Sequence, residues 1–252
     1  MRSAFGKRFV FGLGALLVLA GAATAAAPQG EGWVSLFNGK DLAGWKVPSG
    51  NEGLWSVVDG VIDCVPKAKL DGDNSLWHEK EFGDIQLYVE WRIKETKGEY
   101  PMPIVLPDGS DKLGPDGKAI TENRPNADSG IYLRGTPKAQ VNIWCWPIGS
   151  GEVYGYRTDD KQPAAVRAGV TPKKNADKPV GEWNAFLITM KGDRLTVELN
   201  GEKVIDNAQL PDVPAKGPIA LQLHGGYNAE TDTWDSASSL VQFRDVYVKE
   251  LK

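Results

Sequence analysis

"LTVELNGEKVI", residues 195 to 205, decides the fold. Apolar and polar residues alternate on both sides of Asn200-Gly201, a pair that tolerates the positive φ angles of a two-residue hairpin turn, so the stretch predicts two antiparallel strands. "LWSVVDGVIDCV" (54 to 65) repeats the signal around Asp59-Gly60. Further β-rich runs follow in "FGDIQLYVEWRI" (82 to 93), "SGIYLR" (129 to 134), "AQVNIWCW" (139 to 146), "NAFLITMKG" (184 to 192), "PIALQLH" (218 to 224) and "LVQFRDVYVKEL" (240 to 251). No segment of useful length carries a helical period. The expectation is one all-β domain, a sandwich of a dozen or so strands. Three polar stretches break the pattern. Residues 95–125 and 226–239 are expected to be long loops, and 162–183 a third excursion before a strand.

The chain has 252 residues, 41% of them hydrophobic, with 9 Trp and 2 His, a composition that excludes disorder. It opens with Arg2, Lys7 and Arg8, an apolar run, and then small residues with Ala23 and Ala25 two apart. This reads as a secretory signal over residues 1–26, short for a membrane span, ahead of a domain over 27–252. Removing it takes three of the 29 basic residues and none of the 33 acidic ones, leaving 26 against 33, a net charge of -7. Such a surface has no attraction for nucleic acid or anionic lipid, and an exported, periplasmic or secreted protein free of the membrane is expected. Cys64 and Cys145 would then sit in an oxidising compartment, where a disulfide between them is allowed but not required.

Side chains alternate faces along a strand, so each run splits in two. Leu87, Val89, Trp91 and Ile93 oppose Gln86, Tyr88, Glu90 and Arg92; Ile131 and Leu133 oppose Tyr132 and Arg134. Val141 and Ile143 oppose Gln140, Asn142 and Trp144, while Leu221 and Leu223 oppose Gln222 and His224, and Phe243 opposes Arg244. The second set mixes amides, guanidinium groups and rings, which suits a sugar: hydroxyls pair with the polar groups and the apolar side of a pyranose stacks on an aromatic face. His224, beside Gly225-Gly226, has the side chain best matched to proton transfer near neutrality or to a divalent metal. His78 lacks such company and is expected at the surface.

In order along the chain, "GWVSLFNGKDLAGWKV" (32 to 47), "WSVVDGVI", "FGDIQLYVEWRI", "DSGIYLRG" (128 to 135), "GEWNAFLITMKGDRLTVELNGEKV" (181 to 204), "GPIALQLHGG" and "VQFRDVYVKEL" resemble the 3-keto-disaccharide hydrolase family. The resemblance covers nearly all of the mature chain. It implies a concanavalin A-like jelly-roll sandwich of two antiparallel sheets and action on glycosides oxidised at C3. A C3 ketone acidifies the C2 proton, so abstraction and loss of the C1 oxygen give a 2-hydroxy-glycal that water then adds to. Such a reaction needs a base, an electrophile at the ketone oxygen, for which a divalent metal is one option, and an acid for the leaving oxygen. An oxidoreductase acting upstream would supply the ketone.

Carried onto this chain, the resemblance implicates Glu90, Arg92, Tyr132, Arg134, Gln222, His224 and Arg244. His224 and Glu90 are the expected proton-transfer groups. Arg92, Asp128, Tyr132, Arg134, Gln140, Asn142, Trp144, Gln222 and Arg244 are expected to bind substrate. The chain departs from its relatives in having Asp128 where many have Asn, and Gln140 and Cys145 in a strand where many have carboxylates. These changes put the general base and any metal in question, and Asp128 is either a replacement acid or a turn residue. The reading of another class is a secreted carbohydrate-binding module that performs no reaction. An envelope assembly protein is disfavoured by the lack of a long apolar outer stripe, and a glycosidase with paired carboxylates by Glu90 being the one acid on the faces above.

Overall fold

The structure, a computed structural model, describes residues 27–50, 52–66, 72–228, 231, 233–234 and 240–252. The expected signal over 1–26 lies outside the described residues. In chain order the strands are β1 (Trp33–Ser35), β2 (Trp45–Lys46), β3 (Trp55–Val58), β4 (Val61–Cys64), β5 (Leu76–Phe82), β6 (Ile85–Ile93), β7 (Glu99–Pro103), β8 (Thr121–Pro125) and β9 (Asp128–Leu133). After β10 (Thr136–Trp144) comes a short helix, α1 (Ala164–Gly169). Then follow β11 (Asn184–Lys191), β12 (Arg194–Leu199), β13 (Glu202–Gln209), β14 (Gly217–Leu221), β15 (Tyr227–Asn228), β16 (Thr233–Trp234) and β17 (Val241–Glu250).

Both hairpins form where the turn chemistry placed them. Asp59 and Gly60 take φ angles of 50° and 78° between β3 and β4, and Asn200 and Gly201 take 55° and 81° between β12 and β13. Asn200 also anchors its turn, since its amide donates to Ala176 O and to Asn184 Oδ1, each at 2.8 Å.

Two antiparallel sheets stack as a concanavalin A-like jelly roll. The larger runs β13-β12-β11-β6-β17-β4-β3, with β1 on the same edge of β17 as β4; the smaller runs β10-β9-β14-β5-β2. Between them lies one core. Leu87, Val89, Trp91, Phe186, Ile188 and Phe243 come from the larger sheet, and Ile131, Leu133, Val141, Ile143, Ile219 and Leu221 from the smaller. These are the inward sets that alternation predicts, each worth about 1.5–3 kcal/mol when fully buried.

Four local expectations are corrected. His78 is buried, not at the surface, because β5 lies inside the smaller sheet between β14 and β2. Its ring meets Trp45 edge-on at 5.0 Å and Phe82 at 5.5 Å, and burial lowers its pKa. Residues 95–125 are a β-arm, in which Glu99–Pro103 pairs with Thr121–Pro125 and two further bridges, Val105 with Asp111 and Leu113 with Ala119, carry the pairing toward the tip. Excursion 162–183 contains the helix α1, six residues long and too short to leave a period. Part of 226–239 pairs as β15 with β16, and the rest lies outside the described residues. The cysteine question also closes: Cys64 is a buried core thiol, Cys145 is a partly buried one, and both are free.

Candidate active site

The smaller sheet turns a patterned face outward, and the register explains how. Tyr132 stands opposite Gln140 on one side and Ala220 on the other, Gly130 opposite Asn142, and Asp128 opposite Trp144. Beyond β9 the backbone N–H of Gln222 donates to Gly130 O at 2.9 Å, which sets Gln222 beside Gly130 and carries the chain on to His224 near Asp128. A short segment flanks β10 on its free edge through the bridge of Val141 with Val153. Tyr154 N–H donates to Gln140 O at 3.0 Å and Asn142 N–H to Glu152 O at 2.9 Å, so Glu152 and Tyr154 extend the same face.

The result is a cleft of about 480 Å³ lined by Asp128, Tyr132, Gln140, Asn142, Trp144, Trp146, Glu152, Tyr154, Arg157, Gln222 and His224, among others. Its floor centres on Gly130, where a side chain cannot fit: a Cβ there would collide with the Gln140 amide and stand 2.7 Å from its Cγ. Gln140 lies across that glycine and donates from Nε2 to Gln222 Oε1 at 2.5 Å, and Ser129 Oγ donates to Gln222 O at 2.8 Å. The floor is therefore rigid and its amides are oriented. Asn142, only 2% exposed, keeps its Nδ2 donor without a protein partner. Aromatic walls stand at both ends. Trp144 and Trp146 stack at 4.2 Å and 9°, and Tyr132 stacks on Trp77 at 5.5 Å.

Several titratable side chains meet in this cleft. Burial pushes the Asp128 carboxyl up to about 6, and the positive charge that His224 carries when protonated pulls it part of the way back. Burial likewise raises Glu152 to about 7, against the pull of Arg157, whose Nε lies 2.7 Å from Glu152 Oε2. Asp111 Oδ1 and Gly109 O hold Arg157 at 2.9 and 3.2 Å. Tyr132 stays protonated, its phenol raised to about 12 mainly by burial. Carboxyls poised between 6 and 7 suit proton transfer at neutral pH.

Of the residues singled out from sequence, the fold brings seven to this cleft: Asp128, Tyr132, Gln140, Asn142, Trp144, Gln222 and His224. The other four are corrected. Glu90, Arg92 and Arg244 belong to β6 and β17 of the larger sheet, so the whole core separates them from His224. Glu90 is buried there, accepting from Tyr88 Oη at 2.9 Å and from Arg244 Nε at 2.6 Å. Arg244 and Arg92 lie over the Trp183 ring at 4.0 and 4.7 Å, and Arg92 donates to Gln242 at 2.7 Å. Arg134 follows β9 with a φ of 55° and turns its guanidinium to Asp84 Oδ1 at 2.9 Å and Pro214 O at 2.7 Å, tying loops together away from the cleft. In each case the alternation is right but the sheet, or the strand end, is not what a shared face requires.

Glu152, Arg157, Trp146 and Tyr154 were missed. A signal for them exists in "GEVYGYR" (151 to 157), where Glu152 and Tyr154 alternate with Val153, although three residues make a weak strand pattern. As for a metal, no three His, Cys, Asp or Glu side chains converge to hold an ion among the described residues.

A jelly-roll sandwich with a polar, aromatic-walled cleft across one sheet defines the class of carbohydrate-active β-sandwich proteins. More narrowly, the chain belongs to the 3-keto-alpha-glucoside-1,2-lyase-like domain family, whose profile matches residues 32–249. Among solved structures it is similar to a "putative glycosyl hydrolase" from Parabacteroides distasonis, with 22% identity, 88% of this chain and 84% of that one covered, and a TM-score of 0.52. A second structure so described from the same organism gives 20% identity, 88% and 95% coverage and a TM-score of 0.53. At that identity the likeness speaks to the fold. No curated protein matches the chain significantly.

Proposed function

We propose that this cleft cleaves 3-keto-glycosides by elimination followed by hydration, a net hydrolysis, in an exported protein whose substrate is made upstream by an oxidoreductase acting at C3 of a glycoside. The observation that carries the reading is the meeting of Asp128, Glu152 and His224 around a floor that presents the unpartnered Asn142 donor.

Elimination needs a proton taken from C2, negative charge held on the C3 oxygen, and a proton given to the leaving C1 oxygen. The Asp128–His224 pair takes the C2 proton: with Asp128 at about 6, the carboxylate is mostly ionised at pH 7 and charge stays within the pair when the imidazole is protonated. Asn142 Nδ2 donates to the enolate oxygen, a bond that strengthens as charge develops. Glu152, raised to about 7 by burial, holds a proton near neutrality that it gives to the departing oxygen. Water then adds across the C1–C2 double bond, its hydroxyl to C1 and a proton to C2. Gln140, Gln222 and Tyr132 orient hydroxyls, and the stacked indoles hold the sugar plane.

The test is incubation of the protein with 3-keto-trehalose and with trehalose, with and without chelator, following free sugar and glycal by mass spectrometry. Cleavage of the keto compound alone, lost in His224→Ala, is expected. Cleavage of neither, with saccharide still bound, would make the protein a binding module and overturn the enzymatic reading.

A further inference from the structure

A second cavity, of about 330 Å³, opens at the end of the sandwich and is lined by Trp91, Arg124, Trp144, Trp146, Asp177 and Val180, among others. The stacked Trp144–Trp146 pair lines both this cavity and the cleft, so the two share an aromatic wall. Its polar groups are only partly satisfied. Asp177 Oδ2 accepts from Ser150 N–H at 2.8 Å, while buried Oδ1 has no protein partner. Trp91, 1% exposed, likewise has an indole N–H with no partner. Unpaired buried donors and acceptors are uncommon in folded proteins and mark places where a ligand's polar groups complete the pairing.

The chemistry of the cavity narrows the ligand. A cation meets Arg124 and Lys178 on the lining, and an anion meets Asp177, whose carboxyl burial pushes up. A neutral molecule that both donates and accepts, with an apolar face for the indoles, satisfies all of these groups, and a hexopyranose is such a molecule. The neighbouring thiol of Cys145 is held protonated, raised to about 11 by burial, and adds no charge. We propose that this cavity is a subsite for the second, unoxidised sugar of a disaccharide whose keto-sugar occupies the cleft, with Asp177 accepting from one of its hydroxyls. The inference rests on the function proposed above and names what sets its substrate length.

Two variants test it. Asp177→Asn retains an oxygen for Ser150 N–H but can place an amide donor where the hydroxyl needs an acceptor, and Val180→Trp fills the cavity from its exposed rim. The readout is the ratio of kcat/KM for 3-keto-trehalose to that for phenyl 3-keto-glucoside, which carries no second sugar. Binding of trehalose and of glucose, followed by tryptophan fluorescence, gives a readout that needs no turnover. Loss of a hydrogen bond to a charged group is worth roughly tenfold to a hundredfold. Both variants are therefore expected to lower the ratio by about tenfold or more and to erase tighter binding of trehalose over glucose. An unchanged ratio with both substrates cleaved overturns the subsite and leaves the proposed chemistry standing. Preferential trehalose binding that falls in the variants, without turnover of either keto compound, supports the subsite and overturns the chemistry. Equal or absent binding of trehalose and glucose, without turnover, overturns both.

Discussion

Replacing Asp128 by Asn should make the protein more stable at neutral pH while removing its activity. Asp128 is half-buried, and its carboxyl moves from an ordinary 3.8 to about 6 on folding, with burial the dominant cause. A raised carboxyl pKa means that the folded state holds the proton more tightly than the unfolded chain. The cost of ionising Asp128 is therefore absent below pH 4, grows between 4 and 6, and is complete above 6. A change of this size corresponds to about 3 kcal/mol at most, and the neighbouring His224 keeps it from being larger. Asparagine keeps the shape and carries no charge to bury. Urea denaturation of both proteins at pH 4 and pH 7 should give similar stabilities at pH 4 and a variant about 1–3 kcal/mol more stable at pH 7. Keto-glycoside turnover should fall by at least about a hundredfold at pH 7 and by far less at pH 4, where Asp128 of the parent is itself protonated. A variant less stable at pH 7 than at pH 4 relative to the parent would refute the reasoning, because it would show that the fold uses the ionised carboxylate.

Four further outcomes follow from the same geometry. The pH profile of kcat/KM should be a bell, its acid limb near 6 from ionisation of Asp128 and its alkaline limb near 7 from loss of the Glu152 proton, and Glu152→Gln should remove the alkaline limb. Gly130→Ala should cost about 1–3 kcal/mol in thermal or chemical denaturation, since the added Cβ displaces Gln140 from the floor. Arg244→Ala should destabilise by about 1–3 kcal/mol, because it strips Glu90 of a charged partner, yet leave kcat/KM within about twofold. His224→Ala should lower kcat/KM by roughly a hundredfold to ten thousandfold with an unchanged melting temperature, measured side by side on the same preparations.

Much of this was legible in the chain. Asp59-Gly60 and Asn200-Gly201 specify their turns by local φ preference, and alternation separates Leu87, Val89 and Trp91 from their neighbours without tertiary information. The site was legible in part for a physical reason: alternation says which residues share one face of one strand, but not which strands share a sheet. Gln140, Asn142, Tyr132 and Gln222 meet because β10, β9 and β14 are neighbours, whereas Glu90 and Arg244, with the same chemistry, occupy the other sheet and face away. Arg134 shows a second limit, since a positive φ at its strand end redirects a side chain that strict alternation would put in the cleft. His78 shows a third: an isolated imidazole flanked by charges reads as surface, and only the pairing of β5 with β2 places it under Trp45. Glu152 was hidden because its segment is too short to carry a period, although Val153 bridges to Val141 as a strand residue would.

The most direct test of an eliminative cleavage follows the hydrogen at C2. A 3-keto-glycoside carrying deuterium at C2 is to be turned over by the wild-type protein in ordinary water, and the released keto-sugar sampled early by mass spectrometry beside unreacted substrate. The cleaved keto-sugar is expected to have lost its deuterium, since the C2–H bond breaks before the glycosidic bond does. Product that retains the deuterium would contradict it and point to direct displacement at C1.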